Sequence, residues 1–148
     1  MKSVLIKRAR IIDPSQGMDR VADVFIRDGR IENIAENSID PKSIIDPENI
    51  LGPENIIDAD GQILCPGFID IHVHLCEPGQ SQKGTIASES RAAAGSGFTK
   101  LVCSPNTIPV IDSPAIVSLI QDKAKEAGYC QVFPLGALTQ GLAGEQLS

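Results

Sequence analysis

The sequence predicts an α/β protein in which a small antiparallel β unit precedes parallel strands alternating with helices. Three observations carry this. Segments rich in β-branched residues and broken by turn signals fill the first third. After Asp60-Gly61 the pattern changes to apolar runs alternating with amphipathic stretches. Their order, strand-helix-strand-helix-strand, implies parallel strands joined by right-handed crossovers. The expected organisation is 1–60 for the β unit and 61–148 for the alternating part.

Residues 3 to 12 and 21 to 35 carry the β-branched runs, with Asp13-Pro14 to Gly17 punctuating the first pair of strands. Asp28-Gly29 fits a two-residue hairpin turn between Val24–Arg27 and Arg30–Ile34. From 37 to 58 the text partly repeats at a six-residue step: Pro47-Glu48-Asn49-Ile50 returns as Pro53-Glu54-Asn55-Ile56. Two copies are too few for a solenoid and the prolines disfavour a central strand or helix, so this stretch is expected to be a surface loop insertion.

Ile63 to Leu75 reads as a strand buried on both faces, and Ile86 to Ala94 as a short helix closed by Gly95 and Gly97. Phe98 to Cys103 is a second buried strand. Ser113 as N-cap, Pro114 at the first helical position and Gly128 beyond the end frame a helix over Ala115 to Ala127, with an apolar stripe of Ile116, Leu119, Ile120, Ala124 and Ala127. Gln131 to Leu138 is the third strand.

The 148 residues, 42% hydrophobic and 22% charged, suit a globular protein with one ordinary core. A net charge of -6 and the absence of any basic run argue against nucleic acid as a partner. The only early apolar run, Val4-Leu5-Ile6, is interrupted by Lys7 and Arg8, and no stretch approaches a bilayer span, so neither a signal peptide nor a membrane partner is expected and the expected location is cytoplasmic. Cys65, Cys76, Cys103 and Cys130 lack the close pairing of a zinc ribbon or redox motif. They are expected to be reduced and mostly buried, Cys65 and Cys103 serving as small hydrophobes within apolar stretches.

His72 and His74 are the only histidines. Two apart on a strand, they project to one side while Val73 projects to the other, and two neutral imidazoles projecting together can ligate one metal ion. A bare His-x-His is more often a pair of partly exposed histidines; the surrounding residues favour the ligand reading. Pro66-Gly67-Phe68-Ile69-Asp70 leading into His72-Val73-His74 after a β unit resembles the first barrel strand of the amidohydrolase superfamily. Leu75-Cys76-Glu77-Pro78-Gly79-Gln80 and the segment from Cys103-Ser104-Pro105-Asn106-Thr107 to Ser113-Pro114 resemble the corresponding parts of dihydroorotases.

This resemblance implies the start of a (β/α)8 TIM-type amidohydrolase barrel preceded by a small β-sandwich-like unit, the barrel being incomplete in this chain. It implies zinc, two ions in the intact family site, with His72 and His74 as metal ligands and Asn106 hydrogen-bonding the substrate carboxylate. From its residues alone Asn106 also suits a turn after Pro105. The implied reaction is the reversible closure of carbamoyl aspartate to dihydroorotate in pyrimidine synthesis, a small-molecule conversion.

Two departures bear on this. Cys76 stands at the substrate-binding position where the family pattern has arginine, and a thiol offers neither the charge nor the fork that matches a carboxylate. With no base identifiable beside it, Cys76 is not expected to act as a nucleophile. A full barrel takes roughly 250 residues, and the remaining ligands and general base of the family lie beyond Ser148. Lys100, near the start of its strand, cannot replace a bridging lysine, so no catalytic residue is assigned. Three readings follow: the N-terminal fragment of an active dihydroorotase, a non-catalytic subunit kept for assembly with another pyrimidine enzyme such as aspartate carbamoyltransferase, or a truncated inactive product; a homo-oligomer is the other partner state allowed for.

Overall fold

The protein is described from a computed structural model, which places residues 3–41 and 53–148. It divides into two compact units, one ending at Pro66 and the other spanning Gly67–Ser148.

The first unit is a sheet built on β1 (Ser3–Asp13) and β2 (Met18–Arg27), paired antiparallel, with β3 (Arg30–Ala35) antiparallel to β2. The β1–β2 link is a 3-10 turn, Pro14–Gln16, capped by the Asp13 carboxylate accepting the Ser15 N–H and closed by Gly17 at φ 61. The β2–β3 link is Asp28-Gly29, with φ 49 and 75, the left-handed pair that a type I′ turn requires.

Within β1 the register shifts between Ile6, opposite Val24, and Ala9, opposite Ala22. Lys7 and Arg8 thus oppose Asp23 alone, a β-bulge with Arg8 at φ 58. Asp23, 3% exposed, holds it: one carboxylate oxygen accepts the Arg8 N–H at 2.8 Å and the other the Ile39 N–H at 2.9 Å. The extra residue reverses the alternation of β1, so Leu5 packs with Phe25 in one cluster and Ile11 with Ala22 and Val24 in another.

Two short strands, β4 (Ile56–Asp58) and β5 (Ile63–Leu64), lie parallel to β1, opposite Leu5–Lys7 and Arg10–Ile11 respectively. Loop character was expected throughout 37 to 58, and Ile56–Asp58 corrects it: the unpaired edge of β1 supplies hydrogen bonds that local sequence does not reveal. Pro53–Asn55 forms a 3-10 turn, whereas the first copy of the repeat, Pro47-Glu48-Asn49-Ile50, lies outside the described residues. Among the described residues this unit is one sheet, without the second layer of a sandwich.

The second unit is a parallel sheet in the order β6 (Phe68–Val73), β7 (Phe98–Cys103), β8 (Gln131–Pro134), with α1 (Ile86–Gly95) and α2 (Pro114–Ala127) as the crossovers. Thr85 and Ser88 form a reciprocal capping box at the start of α1. α2 begins with Pro114 after Ser113 and ends at Gly128, φ 71, whose N–H bonds the Ala124 carbonyl. Leu75, Ile86, Leu101, Cys103, Ile111, Ile120, Ala124, Cys130 and Val132 make one buried cluster.

Several expectations are corrected here. The run from Ile63 to Leu75 is not one strand: Ile63–Leu64 pairs with β1, and Cys65-Pro66-Gly67 separates it from β6. Nor is β6 buried on both faces, since Phe68, Ile69 and Ile71 are 54 to 78% exposed. β6 pairs only with β7 among the described residues, and apolar side chains without neighbours remain in water. The third strand stops at Pro134, short of Leu138, and Leu135 and Leu138 are exposed. On α2 the face packed on the core is Ile116, Val117, Ile120 and Ala124, with Leu119 turned outward. Cys65 is exposed; Cys103 and Cys130 are buried. No helix among the described residues is long and apolar enough to cross a membrane.

Candidate active site

The C-terminal ends of the three parallel strands lie level. Val73 is opposite Cys103 and Cys103 opposite Pro134, and the ladder continues one step further through Ser104 N–H to the Val73 carbonyl (2.9 Å) and Leu135 N–H to the Cys103 carbonyl (3.0 Å). The segments that follow β6 and β7 therefore emerge side by side, which is where parallel α/β sheets place their chemistry.

His72 sits within β6 and His74 one residue past its end, both exposed. Their rings are neighbours, with centres 5.4 Å apart and planes tilted by 56°. The Asp70 carboxylate accepts the His72 backbone N–H at 2.9 Å, at a point where the β6–β7 register is irregular. Two imidazoles on one tetrahedral zinc, at Zn–N bonds of about 2.0–2.1 Å, have ring centres about 5 Å apart. The separation of the two rings is of that size, while among the described residues no group of three or more histidine, cysteine or acidic side chains converges on a point. His74 Nδ1 lies 3.2 Å from Asn106 Oδ1. With its hydrogen on Nδ1 donated to that oxygen, the ring keeps the Nε2 lone pair for a metal, the usual division of labour in a ligating histidine.

Asn106 reaches His74 because two loops are stitched together. Ile108 N–H donates to the Pro78 carbonyl at 3.0 Å, and Gly79, at φ 95, sits where a β-carbon would stand 2.2 Å from the Ile108 carbonyl oxygen. Only glycine combines that backbone angle with so close an approach. The loop after β6 turns sharply at Cys76, φ 59, and folds back through Gln80 N–H to the Cys76 carbonyl (2.8 Å) and Lys83 N–H to the Gln80 carbonyl (2.9 Å). A cavity of about 210 Å³ results, lined by His74, Cys76, Gln80 and Lys83 from the first loop and by Ser104, Asn106 and Thr107 from the second, over Leu75. His72 lies outside this lining, and Lys100 is on β7, away from it.

Glu77 was not singled out from the sequence, yet it fastens this loop. One carboxylate oxygen accepts the Ile86 N–H at the start of α1 (2.9 Å) and the other the Lys123 ammonium of α2 (2.8 Å), with the Glu77 side chain 13% exposed. Burial works to raise the Glu77 carboxyl, but the Lys123 ammonium and the Ile86 N–H together outweigh it and hold the group below its ordinary value. Lys123 is raised in turn, chiefly by its hydrogen bond to Glu77. Nothing local marks this role, because both partners are distant in sequence.

Strand ends aligned in a parallel βαβαβ sheet, with a His-x-His at the first of them, give the second unit the class of a parallel α/β fold with its candidate site at the C-terminal strand ends. The fold is similar to that of an L-hydantoinase (dihydropyrimidinase) from Arthrobacter aurescens, which superposes with a TM-score of 0.75 at 22% identity, covering 94% of this chain and 28% of that one. A D-hydantoinase gives 0.57 at 24% identity, covering 89% and 26%. Residues 61–148 match the family described as "Dihydro-orotase-like", and the chain belongs to that family. It is 48% identical over 145 residues to a dihydroorotase of Solibacter usitatus, covering 98% of this chain and 31% of the relative. For a dihydroorotase of Aquifex aeolicus the figures are 42% over 148 residues, 100% and 32%. A "dihydroorotase-like protein" of Pseudomonas aeruginosa is 42% identical over 146 residues, covering 99% and 32%. The chain thus spans about a third of the length of the curated relatives it matches.

Proposed function

We propose that this chain is the amino-terminal part of a zinc-dependent cyclic amidohydrolase that interconverts dihydroorotate and N-carbamoyl aspartate, with its three parallel strands opening a (β/α)8 barrel. The observation that carries the reading is the juxtaposition of the neighbouring His72 and His74 rings with Asn106 at one set of strand ends. His72 and His74 would hold zinc, His74 being oriented by the Asn106 oxygen. Zinc bound there would make water a stronger acid near neutral pH and polarise the ring carbonyl under attack. The Asn106 amide NH2, unused by His74, would donate to a substrate carboxylate, and Cys76 lines the same cavity. The third and later metal ligands and the general base would come from the remaining two-thirds of the length seen in the relatives.

The test uses the whole polypeptide that carries this segment. Ring opening of dihydroorotate should be lost on chelation, restored by zinc, and abolished in His72→Ala and His74→Ala. Absence of turnover by the zinc-loaded protein would refute the reading. A second reading, a non-catalytic subunit that docks on aspartate carbamoyltransferase, draws on the thiol of Cys76, which brings no charge to the substrate side. Zinc-dependent turnover excludes it.

A further inference from the structure

We infer that Lys83 supplies the positive charge that reads the substrate carboxylate in this site, in place of any group at position 76. The inference rests on the cyclic-amide reading above and names the residue that selects an acidic ring over a neutral one.

The cavity beside His74 is lined by one formally charged side chain, Lys83, and by no carboxylate. In a chain of net charge -6 such a lining is not the average surface. Glu77, the nearest acid in sequence, is engaged with Ile86 N–H and Lys123. The inventory of donors and acceptors points the same way. The Lys83 ammonium has three hydrogens and gives one to Gln80 Oε1 at 2.8 Å, which leaves two. Asn106 commits its oxygen to His74 and keeps both amide hydrogens. Thr107 gives its hydroxyl hydrogen to the Pro109 carbonyl. What remains in the lining is an excess of donors carrying one positive charge, and its complement is an acceptor-only anion of carboxylate size.

Position supports the same assignment. The turns from Cys76 to Gln80 and from Gln80 to Lys83 bring the lysine back to the cavity that Cys76 lines, and the Pro78–Ile108 hydrogen bond ties that loop to the one carrying Asn106. Lys83 and Asn106 thus approach one cavity from two loops that cannot move independently. An ammonium on a four-carbon stem can reach from the loop to a carboxylate that a thiol at position 76 cannot bind.

The experiment compares binding of dihydroorotate with that of dihydrouracil, the same ring without the carboxylate, to the whole zinc-loaded protein by calorimetry. The wild type should prefer dihydroorotate. Lys83→Met should weaken dihydroorotate by about tenfold or more, as expected for a lost hydrogen bond to a charged group, and leave dihydrouracil and zinc binding unchanged. Lys83→Arg should retain the preference, and Cys76→Arg introduced into Lys83→Met should restore it. Equal affinity of wild type and Lys83→Met for dihydroorotate, or no preference for dihydroorotate in the wild type, overturns the inference. A Lys83-dependent preference with no ring opening in any variant would instead leave the carboxylate site standing and refute the hydrolase reading.

Discussion

Gly79 packs against Ile108 so closely that a β-carbon there would come within 2.2 Å of the Ile108 carbonyl oxygen. This contact, with the Pro78–Ile108 hydrogen bond, is what brings the loop after β6 to the loop after β7. Gly79→Ala should therefore cost about 2–4 kcal/mol, from a left-handed backbone and a main-chain clash together. Urea denaturation measures the loss, and the same variant should show displaced NMR resonances for both His74 and Asn106.

Asn106→Leu removes the oxygen facing His74 Nδ1 while nearly keeping side-chain volume. Zinc affinity of the whole protein should fall by about 10–100-fold, the usual effect of losing a partner behind a ligating histidine. Competition with a chelating dye reads it, and an unchanged affinity would show that His74 needs no such support.

Glu77→Ala should destabilise by about 2 kcal/mol, since it leaves the Ile86 N–H and the Lys123 ammonium without their acceptor. The sign of the pH effect follows from a folded-state value lowered relative to the unfolded chain. The stabilisation is complete above the unfolded glutamate value and is lost as pH falls through the lowered folded one. Glu77→Gln should accordingly differ most from wild type at neutral pH and converge with it in acid, in denaturation midpoints taken across that range.

The four thiols should differ in reactivity. Cys65 is exposed, whereas Cys130 is buried and donates to the Ser90 and Phe98 carbonyls, and burial raises both Cys103 and Cys130. A disulfide reagent should label Cys65 first in the native protein and reach Cys103 and Cys130 only with unfolding. Prompt labelling of all four would contradict the packing described.

Local chemistry was legible wherever a residue's own backbone decides it: the Asp28-Gly29 turn, the Ser113-Pro114 helix start, the Gly128 stop and the six-residue strand at Phe98 all follow from neighbours in sequence. The spacing of His72 and His74 belongs to the same group, because strand alternation alone puts two such rings together. What depended on distant partners was not legible. Ile56–Asp58 became a strand because β1 offered an edge, and Glu77 became a brace because α1 and α2 present donors to it. Lys83 reaches the cavity through a fold-back that the order of residues does not announce. The apolar run at Phe68–Val73 predicted burial from composition, but exposure depends on how many strands stand beside it.

The bulge at Lys7–Arg8 has a consequence for how this segment can change in evolution. By parity alone Leu5 and Ile11 would share a face; with the extra residue they serve opposite faces of one sheet. Loss of a single residue there would remove the bulge yet keep Ile6 opposite Val24 and Ala9 opposite Ala22, so Ala9 and Ile11 would stay on their present face, and the change would fall on Asp23, left buried without the bulged Arg8 N–H it now accepts. Point substitutions at the exposed Arg8 side chain leave the two apolar faces where they are, and so does a one-codon deletion, whereas straightening β1 without shortening it would exchange the faces beyond the bulge. The extra residue therefore matters less for which way the apolar side chains face than for the main-chain N–H it aims at a buried carboxylate.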